Sequence, residues 1–214
     1  MKTINLRRVL EIGGLVAGAV LIAFGVVAIV MGANGRSTVR DNLAAEQIVG
    51  SPDMTPANIR KEVAQAHLTG ISIPSCSVAG KLVNTGSRAR CFARYMRIHS
   101  LEATGGQVYA QMGRFLDANG KATNDEAKAA IDPTTKKPVE NGARNLWVTE
   151  TALTSALNLA YTAENVALFG IVVGVALLLS GVGFIVLALG GALRRLRVPA
   201  VAEAPAFKQA VPIA

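Results

Sequence analysis

The residues best suited to chemistry lie in the middle of the chain, which contains both histidines and both cysteines. His67, Cys76, Cys91 and His99 are all residue types that zinc accepts as ligands. Their spacing, H-x8-C-x14-C-x7-H, lacks the close C-x2-C or H-x3-H pairs that are typical of zinc sites. The sequence therefore predicts neither a metal site nor a bound cofactor.

The two cysteines are predicted to form a disulfide. The topology derived below places both outside the cytoplasm, in an oxidising compartment where disulfides persist. A bond between Cys76 and Cys91 would close a loop of about 15 residues and contribute about 3 kcal/mol in the chain-entropy account. The alternative is two independent buried thiols.

Three arginines recur along residues 87–103, which read as an amphipathic helix. One predicted face carries Phe92, Tyr95, Met96 and His99. The other carries Arg90, Arg94 and Arg97. We interpret the pattern as a core-facing stripe under a solvated basic face. The alternative is a binding patch for lipid phosphates, a wall polymer or the acidic surface of a partner.

Paired carboxylates for acid–base catalysis are not indicated. Glu150 and Glu164 share a face of a predicted helix, but 14 residues separate them, about 21 Å at 1.5 Å per residue. Both are predicted to be solvent-exposed near lipid headgroups. P-loop, GxSxG and Rossmann patterns are also absent from the sequence, so we predict that the protein is not an enzyme.

Two long apolar stretches must position these residues. No charged residue occurs from Ile12 to Gly35 or from Asn165 to Leu193. A helix needs about 20 apolar residues to cross a bilayer, and each stretch is long enough. We predict transmembrane helices over residues 12–34 and 165–192.

Small residues repeat along one side of each predicted span. The first span carries Gly14, Gly18, Gly25 and Gly32, and the second carries Gly170, Gly174, Gly181 and Ala188. Both rows have 4-7-7 spacing and include a GxxxG, which lets two helix backbones approach closely. The rows therefore predict a hairpin. A further row on the opposite side of the second span, where we predict a partner helix, consists of Ala176, Gly183 and Gly190.

Basic residues flank both spans and predict the orientation. Lys2, Arg7 and Arg8 precede the first span, and Arg194, Arg195 and Arg197 follow the second. Because short basic flanks stay in the cytoplasm, both termini are predicted inside and residues 35–164 outside the plasma membrane of a bacterium. The two ends hold 7 basic and 2 acidic residues of a chain with net charge +8. Most of the excess charge is therefore a topology signal and does not predict nucleic-acid binding.

The fold class predicted is an all-α membrane protein, a two-helix hairpin whose helices extend into a mainly helical extracytoplasmic domain. The predicted segments are a cytoplasmic N-terminus (1–11), the first span (12–34), the external domain (35–164), the second span (165–192) and a basic stop with a disordered tail (193–214).

Within the external domain, Thr55-Pro56 predicts the start of a short helix. Residues 71–83 are the only segment for which a strand is predicted, and Asn119-Gly120 predicts a turn. From Arg144 one continuous helix is predicted to run into the second span. Its packed side is predicted to carry Leu146, Leu153, Leu157, Ala160 and Tyr161.

One block resembles a family of membrane proteins. It contains RNLWVTETAL from Arg144 to Leu153, then Ala156-Leu157-Asn158, Tyr161, Ala163-Glu164 and Leu168-Phe169-Gly170. This block is similar to an uncharacterised actinobacterial family with two spans and a long external segment. Residues 89–99 and 107–110 are similar to that family as well.

The resemblance implies the architecture but brings no established activity or catalytic residue. Some members carry the label of aromatic-ring-opening dioxygenase, an activity that commonly uses a two-histidine, one-carboxylate iron site. Here the only histidines are His67 and His99, in a predicted disulfide-linked external domain. The residues therefore argue against the label.

The function predicted is that of a non-enzymatic, structural or accessory membrane protein. Its external domain would mediate interaction with a protein or envelope component, or homo-oligomerisation; its partners would be the lipid bilayer and a second copy or another membrane protein. One alternative is an envelope enzyme or ligand carrier, indicated by a cavity with convergent polar groups that include His99 or Arg94. Another is a small oligomeric pore, although neither span contains an ionisable residue.

Overall fold

The structure is a computed structural model that describes residues 6–190, with side chains from residue 8 onward. The predicted basic stop and disordered tail, 193–214, and the first residues of the predicted cytoplasmic N-terminus lie outside the described residues.

Two long helices dominate the described chain. Helix α1 spans Leu6–Ala45 and helix α4 spans Gly142–Leu189. Each contains a window with a mean hydropathy of 2.7 or 2.8, and both are long and apolar enough to cross a membrane. The prediction that one continuous helix runs from the external segment into the second apolar stretch is confirmed.

The described residues divide into two compact units, and the first combines residues 6–27 with residues 174–190. Its two helical segments run antiparallel and meet through small residues. A Cβ atom placed on Gly18 would lie 2.7 Å from the carbonyl oxygen of Gly181, and one on Gly25 would lie 2.7 Å from that of Gly174. Only glycine permits this distance, so the two backbones touch directly.

The second unit comprises residues 28–173 and contains the remaining helices. Helix α2 spans Pro56–Gln65, and helix α3 spans Gly86–Ala103. The Thr55 hydroxyl accepts a hydrogen bond from the Asn58 N–H, which caps α2 as predicted. In the same unit, a Cβ atom on Gly32 would lie 2.6 Å from the carbonyl oxygen of Ala167.

Helix α3 packs into two apolar clusters of the second unit. One cluster consists of the buried residues Met54, Ile59, Val78, Cys91, Tyr95 and Ile98. The other consists of Leu43, Val83, Ala89, Ala93 and Leu157. Because opposite sides of α3 are buried, its core contacts extend beyond the single stripe predicted from the sequence, and Phe92 packs against both clusters.

The Cys76–Cys91 disulfide is present, and it links the irregular segment before α3 to the helix itself. The fully buried Tyr95 reinforces this link, because its hydroxyl donates a 2.6 Å hydrogen bond to the carbonyl oxygen of Cys76. A disulfide is the bond expected of a segment outside the cytosol.

The prediction of a strand in residues 71–83 is wrong. This segment forms only isolated bridges, Gly50 with Ala79 and Val49 with Leu82, because the backbone turns at Gly80, where φ is +64°. The two strands of the described chain are β1 (Phe115–Leu116) and β2 (Ala122–Thr123), which pair antiparallel. They flank the turn predicted at Asn119-Gly120, where Gly120 has φ +76°.

Candidate functional site

The buried side of α4 carries Trp147, Glu150 and Glu164 beside the predicted Leu157, whereas two other leucines of the predicted row are exposed. Glu150 is 2% exposed and Glu164 is 9% exposed, whereas Leu146 and Leu153 are 43% and 47% exposed. The predictions that both glutamates are solvent-exposed and that both leucines pack are therefore wrong. Opposite charges on neighbouring helices explain why α4 buries the two acids.

Arg97 on α3 holds the first of these acids. Its Nη1 atom lies 2.9 Å from Oε2 of Glu150, and its guanidinium lies 3.8 Å from the centre of the Trp147 ring. Two helical turns before Arg97, the guanidinium of Arg90 lies 4.6 Å from the centre of the Tyr161 ring. Both arginines remain in contact with solvent, as the predicted basic face requires, and α4 in addition supplies aromatic faces that attract them.

A cavity of about 390 Å³ opens beside the Arg97–Glu150 pair. Its polar side chains include Arg94, Arg97, Glu150, Thr154 and Asn158. The backbone segment 70–72 and the apolar side chains of Ala93, Ile98 and Leu101 complete the wall. The cavity thus combines two arginines with one carboxylate and neutral hydrogen-bonding groups, which are features of a ligand site.

Two polar groups of this cavity retain unused capacity. The Oε2 atom of Glu150 accepts from Arg97 and from the Thr151 hydroxyl, whereas its buried Oε1 atom has no hydrogen-bond partner among the described residues. Arg94 is exposed and forms no ion pair within residues 8–190. A bound molecule could therefore accept from Arg94, whereas the Oε1 atom of Glu150 is shielded from solvent.

Glu164 ties three helices of the second unit together. Its Oε1 atom lies 3.1 Å from Nε of Arg36 and 2.7 Å from Nε of Arg40, both on α1. Its Oε2 atom accepts a hydrogen bond from the Gly86 N–H at the start of α3. A carboxylate at a helix N-terminus is favourable, so this residue has a structural role.

The zinc ligand set considered from the sequence is not assembled. Cys76 and Cys91 are bonded to each other, and His67 is exposed in a turn after α2 with φ +51°. His99 lies instead beside two carboxylates, Asp53 and Glu62. These three are the residues of the described chain that could hold a metal ion.

The acidic partners of His99 were missed because they come from separate segments, Asp53 from the loop before α2 and Glu62 from α2 itself. The Nε2 atom of His99 lies 2.9 Å from Oδ2 of Asp53 and 3.5 Å from Oε2 of Glu62. Burial, and after it the negative charge of Asp53, raise the pKa of Glu62 above its ordinary value. Two carboxylates are thus held close together.

The fold and the sites define a mainly helical, disulfide-bonded protein with two apolar helices that could cross a membrane. No protein family, no curated protein and no solved structure matches the chain. Functional inference therefore depends on the geometry of the cavity and of the charged clusters.

Proposed function

We propose that this chain is a binding protein located in the plasma membrane of a bacterium. Its membrane spans cover residues 12–34 and 165–192, and both termini lie in the cytoplasm. Residues 35–164 then lie outside, where they form a non-enzymatic, accessory binding domain. The basic residues at both ends support this orientation, and the Cys76–Cys91 disulfide supports an external position for the domain. The resemblance to two-span actinobacterial proteins agrees with the same arrangement.

The observation that carries the proposal is the polar cavity between α3 and α4. It contains Arg94, as expected of a ligand carrier, together with the neutral polar side chains of Thr154 and Asn158. Its single carboxylate is already paired with Arg97, which favours binding over acid–base catalysis. The external domain is predicted either to bind a partner or to mediate homo-oligomerisation. The cavity therefore favours the first role, with an envelope component as the partner.

The charges of the cavity select the chemistry of the ligand. Arg97 is neutralised by Glu150, so Arg94 leaves the wall with one uncompensated positive charge. Thr154 and Asn158 can hydrogen-bond to hydroxyl or amine groups. The ligand is therefore a small anion that also carries hydroxyl or amine donors, such as a uronic acid or glycerol phosphate unit of an envelope polymer.

Trp147, the only tryptophan, stacks on Arg97 and offers a fluorescent probe of this cavity. We expect glucuronate and glycerol phosphate to change its emission in the full-length protein in detergent, whereas glucose and glycerol do not. Arg94→Ala should weaken the binding at least about tenfold, because a charge-assisted hydrogen bond contributes about 1.5–3 kcal/mol.

Arg60→Ala is the matched control, since Arg60 is an exposed arginine of α2 that does not line the cavity. It should leave both affinities unchanged. If neither anion alters the Trp147 emission, or if Arg60→Ala weakens binding as much as Arg94→Ala does, the cavity is not the binding site proposed.

Homo-oligomerisation is a second candidate, favoured by the side of α4 that residues 6–190 leave uncovered. A Cβ atom on Gly183 would meet no atom of the described chain within 4 Å, whereas one on Gly181 would lie 2.6 Å from the Gly18 carbonyl oxygen. Ala176 and Gly190, the other members of the row, are exposed. A helix of a second copy can therefore approach the Ala176, Gly183 and Gly190 row closely.

The two neighbouring glycines give a matched pair of substitutions. We expect Gly183→Leu to weaken self-association in sedimentation experiments in mild detergent while leaving thermal stability unchanged. Gly181→Leu should instead lower the stability of the helix pair by about 1–3 kcal/mol through overpacking. Unchanged association of the Gly183→Leu variant would show that this row faces lipid.

A further inference from the structure

Three potential metal ligands converge on one point in the second unit. The candidate ligand atoms of Asp53, Glu62 and His99 all lie within 4.8 Å of one another. His99 Nε2 is 2.9 Å from the Asp53 oxygen and 3.5 Å from the Glu62 oxygen. Two ligands in a tetrahedral zinc site, each with a bond of about 2.0–2.2 Å, are separated by roughly 3.3–3.6 Å. The cluster therefore has nearly the dimensions of such a site.

The contacts of His99 do not amount to ordinary hydrogen bonds. Its Nε2 atom is shielded from solvent and has no hydrogen-bond partner with acceptable geometry among the described residues, although two carboxylates are close. An imidazole nitrogen this close to two carboxylate oxygens is suited to a shared cation. Such a cation would satisfy all three groups at once.

The surrounding core holds the three ligands in place. Met54 follows Asp53 in the chain, Ile98 precedes His99, and Ile59 lies one turn before Glu62 on α2. All three of these apolar residues are buried in one cluster. The ligand-bearing backbones are therefore fixed relative to one another without a metal, which lowers the cost of assembling the site.

The donor set indicates which metal is held. One imidazole nitrogen and two carboxylate oxygens suit Zn²⁺, and the three ligands leave one tetrahedral position for water. Ca²⁺ needs six to eight oxygen ligands, and Mg²⁺ prefers octahedral oxygen coordination. We propose that Asp53, Glu62 and His99 form a Zn²⁺ site that fastens the loop before α2 to α2 and α3.

The test uses the full-length protein in detergent, purified without a polyhistidine tag and freed of metal by chelation. Calorimetric titration should show one Zn²⁺ per chain, which excess Mg²⁺ or Ca²⁺ does not displace. Co²⁺ should give the intense visible absorption of tetrahedral coordination. His99→Gln and Glu62→Gln should each weaken Zn²⁺ binding by at least about 100-fold, because loss even of an outer-shell partner commonly costs about 10–100-fold.

His67→Gln provides the matched control, because His67 is the other histidine and lies outside the cluster. Its Zn²⁺ affinity should equal that of the unaltered chain. Circular dichroism of the metal-free variants separates loss of the site from loss of the fold. The proposal is overturned if Zn²⁺ does not bind, if Ca²⁺ binds equally well, or if folded His99→Gln and Glu62→Gln retain the original affinity.

Discussion

Joint replacement of Cys76 and Cys91 by alanine is expected to lower the free energy of unfolding of the α3 region by about 3 kcal/mol. The disulfide joins residues 15 positions apart, and a loop of this length corresponds to about 3 kcal/mol in the chain-entropy account. Cys91 lies in the buried cluster of α3, whereas Cys76 belongs to an irregular segment. Without the bond, that segment depends on apolar contacts, on the hydrogen bond from Tyr95 to the Cys76 carbonyl and on hydrogen bonds from Ser77 and Val78 to the Met54 carbonyl.

Hydrogen–deuterium exchange of the α3 amides in the full-length protein measures this effect. A loss of about 3 kcal/mol corresponds to exchange roughly 100-fold faster where opening of the region limits exchange. A reductant provides the control, since it should accelerate exchange in the unaltered chain to the same extent and leave the double-alanine variant unchanged. Equal protection of α3 with and without the disulfide would show that packing alone holds the segment.

The elements that follow from local chemistry could be predicted from the sequence. Thr55-Pro56 determines where α2 begins, and Asn119-Gly120 determines the turn between β1 and β2. The long apolar runs account for α1 and α4, and the pairing of the only two cysteines follows from their number. Each of these features depends on residues that are close in sequence or unique in the chain.

The candidate site could not be predicted in the same way, because it depends on which helices meet. Hydrophobic periodicity placed Leu146 and Leu153 on the packed side of α4, but Glu150 is buried instead since Arg97 of α3 faces it. The sequence does place Trp147, Glu150, Leu157 and Glu164 on one face of α4. This spacing indicates the packed face only if acidic residues are accepted as buried residues. On α3, the corresponding signal is the seven-residue separation of Arg90 and Arg97, which places both arginines on one face of that helix.

The cluster of Asp53, Glu62 and His99 was hidden for a different reason. Its members come from a loop and two helices, so no short spacing connects them. The set that the sequence offers by residue type, His67, Cys76, Cys91 and His99, shares only His99 with this cluster, and the disulfide removes the cysteines from metal chemistry. The fold assembles this site from residues that are distant along the chain, so a sequence motif does not reveal it.

Arg97→Met is expected to lower the free energy of unfolding by about 3 kcal/mol. The substitution leaves the carboxylate of Glu150 buried without its positive partner, and breaking a buried pair in this way costs about 3–5 kcal/mol. The lower end of that range applies because the Arg97 side chain is 44% exposed. The stacking on Trp147 is lost as well.

Arg90→Met is the matched control for the stacking contribution. Arg90 lies on the same helix and stacks on Tyr161, but it forms no ion pair within residues 8–190. Its replacement should cost about 0.5–1 kcal/mol, the size of an exposed cation–π contact. Chemical denaturation of both variants, followed by Trp147 fluorescence, would give the difference that belongs to the buried charge.

A double-mutant cycle decides whether that charge causes the loss. Glu150→Leu removes the buried carboxylate, so Arg97→Met/Glu150→Leu should recover most of the stability lost by Arg97→Met alone, because two apolar side chains can replace a buried ion pair at little cost. If the double variant is instead less stable than Arg97→Met, Glu150 stabilises this region through contacts other than Arg97. In that case the unpartnered Oε1 atom would have to be satisfied by a buried water molecule.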